Sequence, residues 1–411
     1  MLATILIFII ILGLLVFVHE AGHFLVARWN GIKAEEFGFG FPPRAFGFYK
    51  DDESKCWRIL IGEREVILPK ILRSIVEIFV PVSIDPFRDD SERRPEIKNT
   101  IYSFNWLPLG GFVRIKGEDG SNQDPDSFMS KSAWVRVKVL GAGVFMNFIF
   151  AWLLVSLVLM IGFPQAIDST NRAQYPDTKI YITNVLPNTP AEEMGLQAGD
   201  QVMSLDGTAV SSLEQVSKTV KEKQGAEIEM KVNRLGKVLD LRGTPRVVHP
   251  DNEGALGIGF TETAIVKFGF FRAFYEGALN TFEMTRQIIF ALGRMIGMLF
   301  GGDRVAVDVT GPVGIVYMTK QMSDLGFVYL LQFAAILSIN LGIVNILPFP
   351  ALDGGRIFFI LLEKLKGRPV TQKVEMALHQ IGFMLLLLLM AIITVRDFSQ
   401  FQLLEKLSRI F

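Results

Sequence analysis

Cysteine is nearly missing from this chain. Cys56 stands alone among 411 residues, which excludes an intrachain disulfide and any cysteine-built zinc cluster. Histidine is almost as scarce: there are four, and two of them, His19 and His23, lie four positions apart. Net charge is absent as well. The 42 basic side chains balance 42 acidic ones, so nothing in the charge points to nucleic acid, and none is expected as a partner. Residues 2–18 contain no charged side chain; no basic segment precedes them and no small-x-small site follows. A retained membrane span fits these missing features better than a cleaved signal.

What the chain has in excess is apolar surface, with half its residues hydrophobic and 34 of them Phe. A soluble chain of this length would make two or three domains; this composition instead predicts membrane spans joined by water-facing pieces. The first span occupies residues 1–28, where about 26 residues at ~1.5 Å each reach roughly 39 Å, enough for a bilayer core. Further spans are expected at 137–163, 325–356 and 374–396. The stretch 264–324 is apolar and aromatic but broken by Arg272, Glu276, Glu283, Arg286 and Arg294, which reads as an interfacial helix rather than a fifth span. Arg28, Lys33, Lys131, Arg136, Lys138, Lys364, Lys366, Arg368 and Lys373 flank the spans so that the positive-inside bias puts 30–136 and 354–376 in the cytoplasm. Both termini and 164–324 then lie outside, an arrangement that four crossings satisfy.

Two water-facing regions differ in texture. Residues 29–136 combine Gly- and aromatic-rich, strand-like segments near 31–49 and 105–116 with a polar insert at about 50–104. Inside that insert, 66–79 gives an apolar stripe that fits membrane contact and packing within its own loop equally well. Residues 178–262 read as one compact module: a strand at KIYITNV, a short helix after PNTP, an Asp-Gly hairpin turn, a helix at SLEQVSKTVKEK, a polar hairpin and a closing strand at ALGIGF.

The chemistry starts at HEAGH, residues 19–23. His19 and His23 lie about 40° apart around an α-helix, so both rings reach one ion. Glu20, about 100° from His19, reaches a water on that ion without binding it. H-E-x-x-H on a helix reads as two zinc ligands with a general base. A satisfied buried pair near a helix end is the bland alternative, and it is disfavoured because ionisable groups at membrane depth are costly and usually functional. The extended zincin pattern fails, since Val26 and Trp29 occupy its later positions. For a third ligand, His249 falls in the outer module on the wrong side. His379 begins the last span at the cytoplasmic end. Asp353, in NILPFPALDGGR, closes the third span on the same side as the histidines. An N-terminal cap for the next helix is the plain reading of Asp353; its depth favours a ligand.

At this point the chain is similar to the site-2 protease class of intramembrane zinc metalloproteases, and most like the bacterial branch that includes the regulator-of-sigma-E proteases. The resemblance rests on HEAGH at 19–23, N-x-x-P-x-P-x-x-D-G from Asn345 to Gly354, PLGGFVRI at 108–115 and TGPVGI at 310–315. It implies a polytopic α-helical membrane protein with four transmembrane helices, a membrane-associated β-rich cytoplasmic loop and one PDZ-like α+β domain. It implies that His19, His23 and Asp353 hold Zn2+, that Glu20 is the general base, and that Asn345 helps hold substrate or the developing oxyanion. Gly110, Gly111 and Phe112 are the candidates for pairing with an extended substrate strand, though the two glycines also suit an ordinary turn. The module resembles a PDZ domain through NTPAEEMGLQAGDQVMSLDG, which implies peptide termini as its partners; ALGIGF is then either the carboxylate-binding strand or a plain core strand.

The expected function is hydrolysis of peptide bonds within or near transmembrane segments of membrane proteins, such as anti-sigma factors or signal-peptide remnants. The expected place is the bacterial cytoplasmic membrane, with the PDZ-like module outside the cytoplasm. Two features depart from the family pattern: one module where some relatives carry two, and the long insert. A catalytically inactive PDZ scaffold is the main alternative, and a transporter is a third, weakened by the lack of repeated halves.

Overall fold

The computed structural model describes residues 2–52, 55–62, 64–65, 99–118, 124–167, 178–234, 236–248, 250, 253–301, 310–367 and 372–400. The apolar stripe at 66–79 and His249 lie outside the described residues. Four helices among the described residues are long and apolar enough to cross a membrane: α1 (Leu2–Trp29), α2 (Ala133–Ile161), α7 (Phe327–Ile346) and α9 (Gln372–Gln400). In lipid no water is available to the backbone, so a helix that satisfies every peptide group internally is the stable form of such runs. The protein is therefore a polytopic membrane protein.

The chain divides into two compact units. One comprises Met1–Val155, Gly277–Ser323 and Leu330–Phe411; the other comprises Ser156–Glu276 and Asp324–Tyr329.

In the first unit, α1 packs on a sheet built from β1 (Ala34–Lys50), β2 (Trp57–Ile61), β3 (Arg64–Glu65) and β4 (Ile101–Ile115), in the order β3-β2-β1-β4. Both β1 and β4 fold back on themselves and interleave. Phe37 pairs with Val113 on one side and Tyr102 on the other, while Phe46 pairs with Phe104 and Ile61. The interleaving supplies partners to backbone groups that lie beside an apolar helix. Phe24 stacks on Phe37 at 4.6 Å, and Phe17 meets Phe37 at 5.1 Å and Phe39 at 5.9 Å. Small residues allow the approach: a Cβ on Gly13 would sit 3.3 Å from the Pro108 carbonyl, and one on Gly111 would sit 2.9 Å from Phe17 Cα.

Helix α2 runs against α1 at Gly22, where a Cβ would lie 2.7 Å from the Ala142 carbonyl carbon. Helix α7 ends before Pro348 and Pro350, and a tight turn with Ala351 at φ 79° leads into α8 (Asp353–Lys366). Gly354 and Gly355 would drive a Cβ into the carbonyls of Ile346, Leu347 and Phe349, so the turn is closed to larger residues. Helix α5 (Phe270–Gly301) is not among the apolar spans and exposes Phe271, Phe282 and Phe290. Helix α6 (Pro312–Leu325) begins within TGPVGI, where Asp397 of α9 accepts the Gly311 and Gly314 N–H groups at 3.2 and 2.7 Å.

The second unit is the PDZ-like domain. Its strands are β5 (Phe163–Ala166), β6 (Lys179–Val185), β7 (Gln201–Leu205), β8 (Thr208–Ala209), β9 (Ile228–Arg234), β10 (Lys237–Gly243) and β11 (Ile258–Val266). They follow the order β10-β9-β7-β6-β11-β5, with β8 paired to β7. The helices are α3 (Pro190–Glu193) and α4 (Leu213–Glu222), the latter capped by Ser212 Oγ accepting from Gln215 N–H at 3.1 Å. Ile180, Ile182, Val202, Val216, Ile228 and Met230 form its core. Two details differ from the sequence expectation. The sheet extends past 178–262, because β5 joins it and β11 runs to Val266. Ala255–Gly257 is not strand: Leu256 is buried and its carbonyl takes the Ala191 N–H at 3.1 Å, so the closing strand starts at Ile258.

Candidate metal and catalytic centre

The one-turn spacing of His19 and His23 on α1 points both rings toward α2 and the start of α8. His19 Nε2 lies 2.9 Å from Asp353 Oδ2, His23 Nε2 lies 3.4 Å from the same oxygen, and the two Nε2 atoms are 3.1 Å apart. Four ligand atoms on a tetrahedron about 2.0–2.1 Å from a zinc ion would lie about 3.3 Å apart. The three observed separations sit close to that edge length, so the donor set fits the ion. These are also the residues that gather as a candidate metal cluster among those described.

The capping alternative for Asp353 fails on geometry. The N-cap of α8 is Leu352, which makes no side-chain cap bond, and the Asp353 carboxylate turns to the two imidazoles. His379 is elsewhere: its Nδ1 accepts the Ala351 N–H at 2.8 Å, so it braces from α9 the turn that delivers Asp353.

Glu20 stands outside the three-atom cluster. Its Oε2 accepts the Val113 N–H at 3.2 Å, which ties the carboxylate to β4. Asn345, in the last turn of α7, brings its Nδ2 to 3.4 Å from His19 Nε2. Gly110, Gly111 and Phe112 lie just before Val113 on the same strand. Segment 111–115 of β4 pairs with β1 on one edge, and its other edge carries the N–H bound to Glu20. The two glycines are small because α1 is close: a Cβ on Gly110 would fall 2.9 Å from Val16 Cγ1.

Helix α2 contributes contacts that the sequence reading missed. His23 Nδ1 donates to the Val139 carbonyl at 2.8 Å, and the Asn147 side-chain amide meets His19 Nδ1 at 3.1 Å. Between them, a Cβ on Gly143 would lie 2.7 Å from His23 Cε1 and 2.8 Å from His19 Cε1, so this position is where the rings themselves sit. One signal was available: Asn147 is a strongly polar side chain in the middle of an apolar span, a position that costs stability unless it is used.

Residues 7–62 and 93–389 match Peptidase family M50. The chain is 32% identical to the regulator of sigma-W protease RasP of Bacillus subtilis, over 97% of this chain and 98% of that one. It is 30% identical to a putative zinc metalloprotease of Clostridium perfringens, covering 93% and 95%, and 32% identical to one of Fusobacterium nucleatum, covering 96% and 98%. The PDZ domain of an SdrC-like protein from Listeria monocytogenes is 23% identical over 20% of this chain and 85% of that one, with a TM-score of 0.18. The PDZ-like description rests on the strand and helix order of the unit itself. A match over most of the chain and relatives alike from end to end lead to one conclusion: the chain belongs to peptidase family M50, as a membrane zinc metalloendopeptidase of the site-2 type.

Proposed function

We propose that His19, His23 and Asp353 hold the zinc and that Glu20 is the general base for hydrolysis of peptide bonds in transmembrane substrates. The observation that carries this is the convergence of three ligand atoms from α1 and α8 within 4.8 Å of one another, beside a carboxylate that stays out of the cluster. Held there, zinc would supply Lewis acidity, lowering the pKa of a water and polarising the scissile carbonyl. Glu20, as general base, would take a proton from the attacking water and hand it to the leaving amide nitrogen. Asn345 offers an N–H2 group beside the cluster, suited to an oxygen that gains negative charge.

A helical substrate hides its peptide bonds in i to i−4 hydrogen bonds, and lipid penalises opening them without a replacement partner. The outer edge of β4 at Gly110–Phe112, next to the strand position that holds Glu20, supplies one by strand addition. The family tie to the sigma-W protease favours anti-sigma factors as substrates, and signal-peptide remnants are the second class. A level near the cytoplasmic face is supported by the basic residues at the helix ends, Arg28 in the last turn of α1, Arg136 in the first turn of α2 and Lys364 in the last turn of α8. The PDZ-like unit then lies outside, in the bacterial cytoplasmic membrane's outer space, with α5 along the interface. Peptide termini are the partners proposed for this unit, taken up as an added strand.

An inactive scaffold would have no use for a carboxylate held at the Glu20 position. The test is cleavage of a model transmembrane substrate by purified wild type and Glu20→Gln. The variant is expected to lose about 100-fold or more in rate while keeping its zinc; equal cleavage would remove the assignment. Metal analysis separates the ligands: Asp353→Ala is expected to lose zinc and His379→Ala to retain it.

A further inference from the structure

An imidazole that gives its Nε2 lone pair to a metal carries its proton on Nδ1, and a buried N–H needs an acceptor. His23 has one in the Val139 carbonyl at 2.8 Å. His19 Nδ1 faces the amide of Asn147, a side chain with no exposed surface. As placed, Asn147 Nδ2 is the nearer atom and Oδ1 is buried without a partner. The two ends of an amide have the same shape, so their assignment follows from the hydrogen bonds they make. Turning the amide over lets Oδ1 accept from His19 Nδ1–H at the same contact and moves Nδ2 to the position that has no partner.

We propose that Asn147 is a positioning residue that holds His19 in the Nδ1–H tautomer through its Oδ1, the counterpart on α2 of the Val139 carbonyl for His23. The inference rests on the zinc reading above. Val139, Gly143 and Asn147 recur every four residues along one stripe of α2. The outer two anchor the two Nδ1 atoms, and the middle one leaves room for the rings. Asn147 is itself fixed, because its backbone carbonyl accepts from Ser338 Oγ of α7 at 2.8 Å. Being fully buried, it touches no substrate and acts only through His19.

The full chain in detergent, stripped of zinc and titrated against a competing chelator, tests this. Asn147→Leu, close in volume but without an acceptor, is expected to bind zinc about 10- to 100-fold more weakly. In imidazole-15N spectra of the zinc-loaded protein, the hydrogen-bonded Nδ1–H signal of His19 is expected to move upfield in that variant while the His23 signal stays. Asn147→Asp keeps an acceptor and is expected to keep both the His19 signal and zinc affinity within about threefold. Zinc affinity unchanged in Asn147→Leu, both histidine signals lost together, or the His19 signal lost in Asn147→Asp would each overturn the proposal. A wild type that takes up no zinc at His19 and His23 would instead overturn the zinc reading on which it rests.

Discussion

At the centre of the first unit, the volume of single side chains decides the chemistry. Gly143 has no Cβ, and the space it leaves holds the edges of both imidazoles. Gly143→Ala is expected to push His19 and His23 off their shared focus and weaken zinc binding at least about tenfold, with overpacking costing about 1–3 kcal/mol. Zinc titration and metal analysis of the purified variant check this; full affinity would mean that α2 moves aside freely. Glu20 was legible because its spacing from the histidines is a property of any α-helix. The partner of Glu20 was not: the Val113 N–H reaches it across 93 positions of sequence, and nothing local marks that amide.

Among the elements, turn chemistry was the most readable. The Asp206-Gly207 pair has φ of 46° and 74° and joins β7 to β8 with Leu205 opposite Thr208, the two-residue hairpin that an Asp-Gly pair predicts. Asp206 Oδ1 accepts the Glu229 N–H at 2.9 Å, and this bond, with Lys223 nearby, lowers the pKa of the carboxyl. A carboxylate whose folded pKa lies below its unfolded value of ~3.9 adds stability above that pH and loses it as pH falls through the folded value. Asp206→Asn keeps a residue tolerant of positive φ. It is therefore expected to reduce amide protection at Glu229 about two- to fivefold at pH 7, the equivalent of about 0.5–1 kcal/mol. Hydrogen exchange on the full chain is the measurement. Below the folded pKa the gap to wild type should close; a gap that is the same in acid would separate the effect from the charge.

The strands of the first unit were harder to read. Alternation within 31–49 and 105–116 marked them as strand-like, but their interleaving depends on two bends whose partners lie more than 50 positions away. Residues 101–104 lie beside 36–39, and 111–115 on the other side of the same segment, because β4 turns back near Leu107. Helix α5 is a third case: its charges favour an interfacial helix over a simple span, while its exposed Phe271, Phe282 and Phe290 follow from a periodicity visible in the sequence.

On the scale of the whole molecule, two cores fold by different rules. The PDZ-like unit buries Ile180, Val202, Ile228 and Met230 from water and holds the buried Asp200 against Arg234 at 2.7 Å, so it has its own core. A fragment of residues 163–267 is expected to fold alone and unfold in one transition. A fragment of 178–267, which lacks β5, should melt lower, by several degrees for each kcal/mol lost. Circular dichroism melts compare them; equal melting temperatures would show that β5 adds nothing to the sheet. In the first unit the apolar helices have no such drive in lipid, and contact there depends on small residues such as Gly22 and on polar groups such as Ser338.

The division between what was legible and what was not follows from range. By itself the sequence determined the apolar spans, the i, i+4 histidine pair with its neighbouring carboxylate, the glycine turns and the compact PDZ-like module, because each depends on residues close along the chain. Depth and the family motif already pointed to Asp353; the tertiary structure alone showed that its carboxylate turns to the histidines while Leu352 takes the N-cap of α8, that His379 braces the turn, and that Val139, Gly143 and Asn147 line the ring sites. Those outcomes depend on how α1, α2, α7 and α8 pack, and a one-dimensional spacing carries no information about the distance between helices.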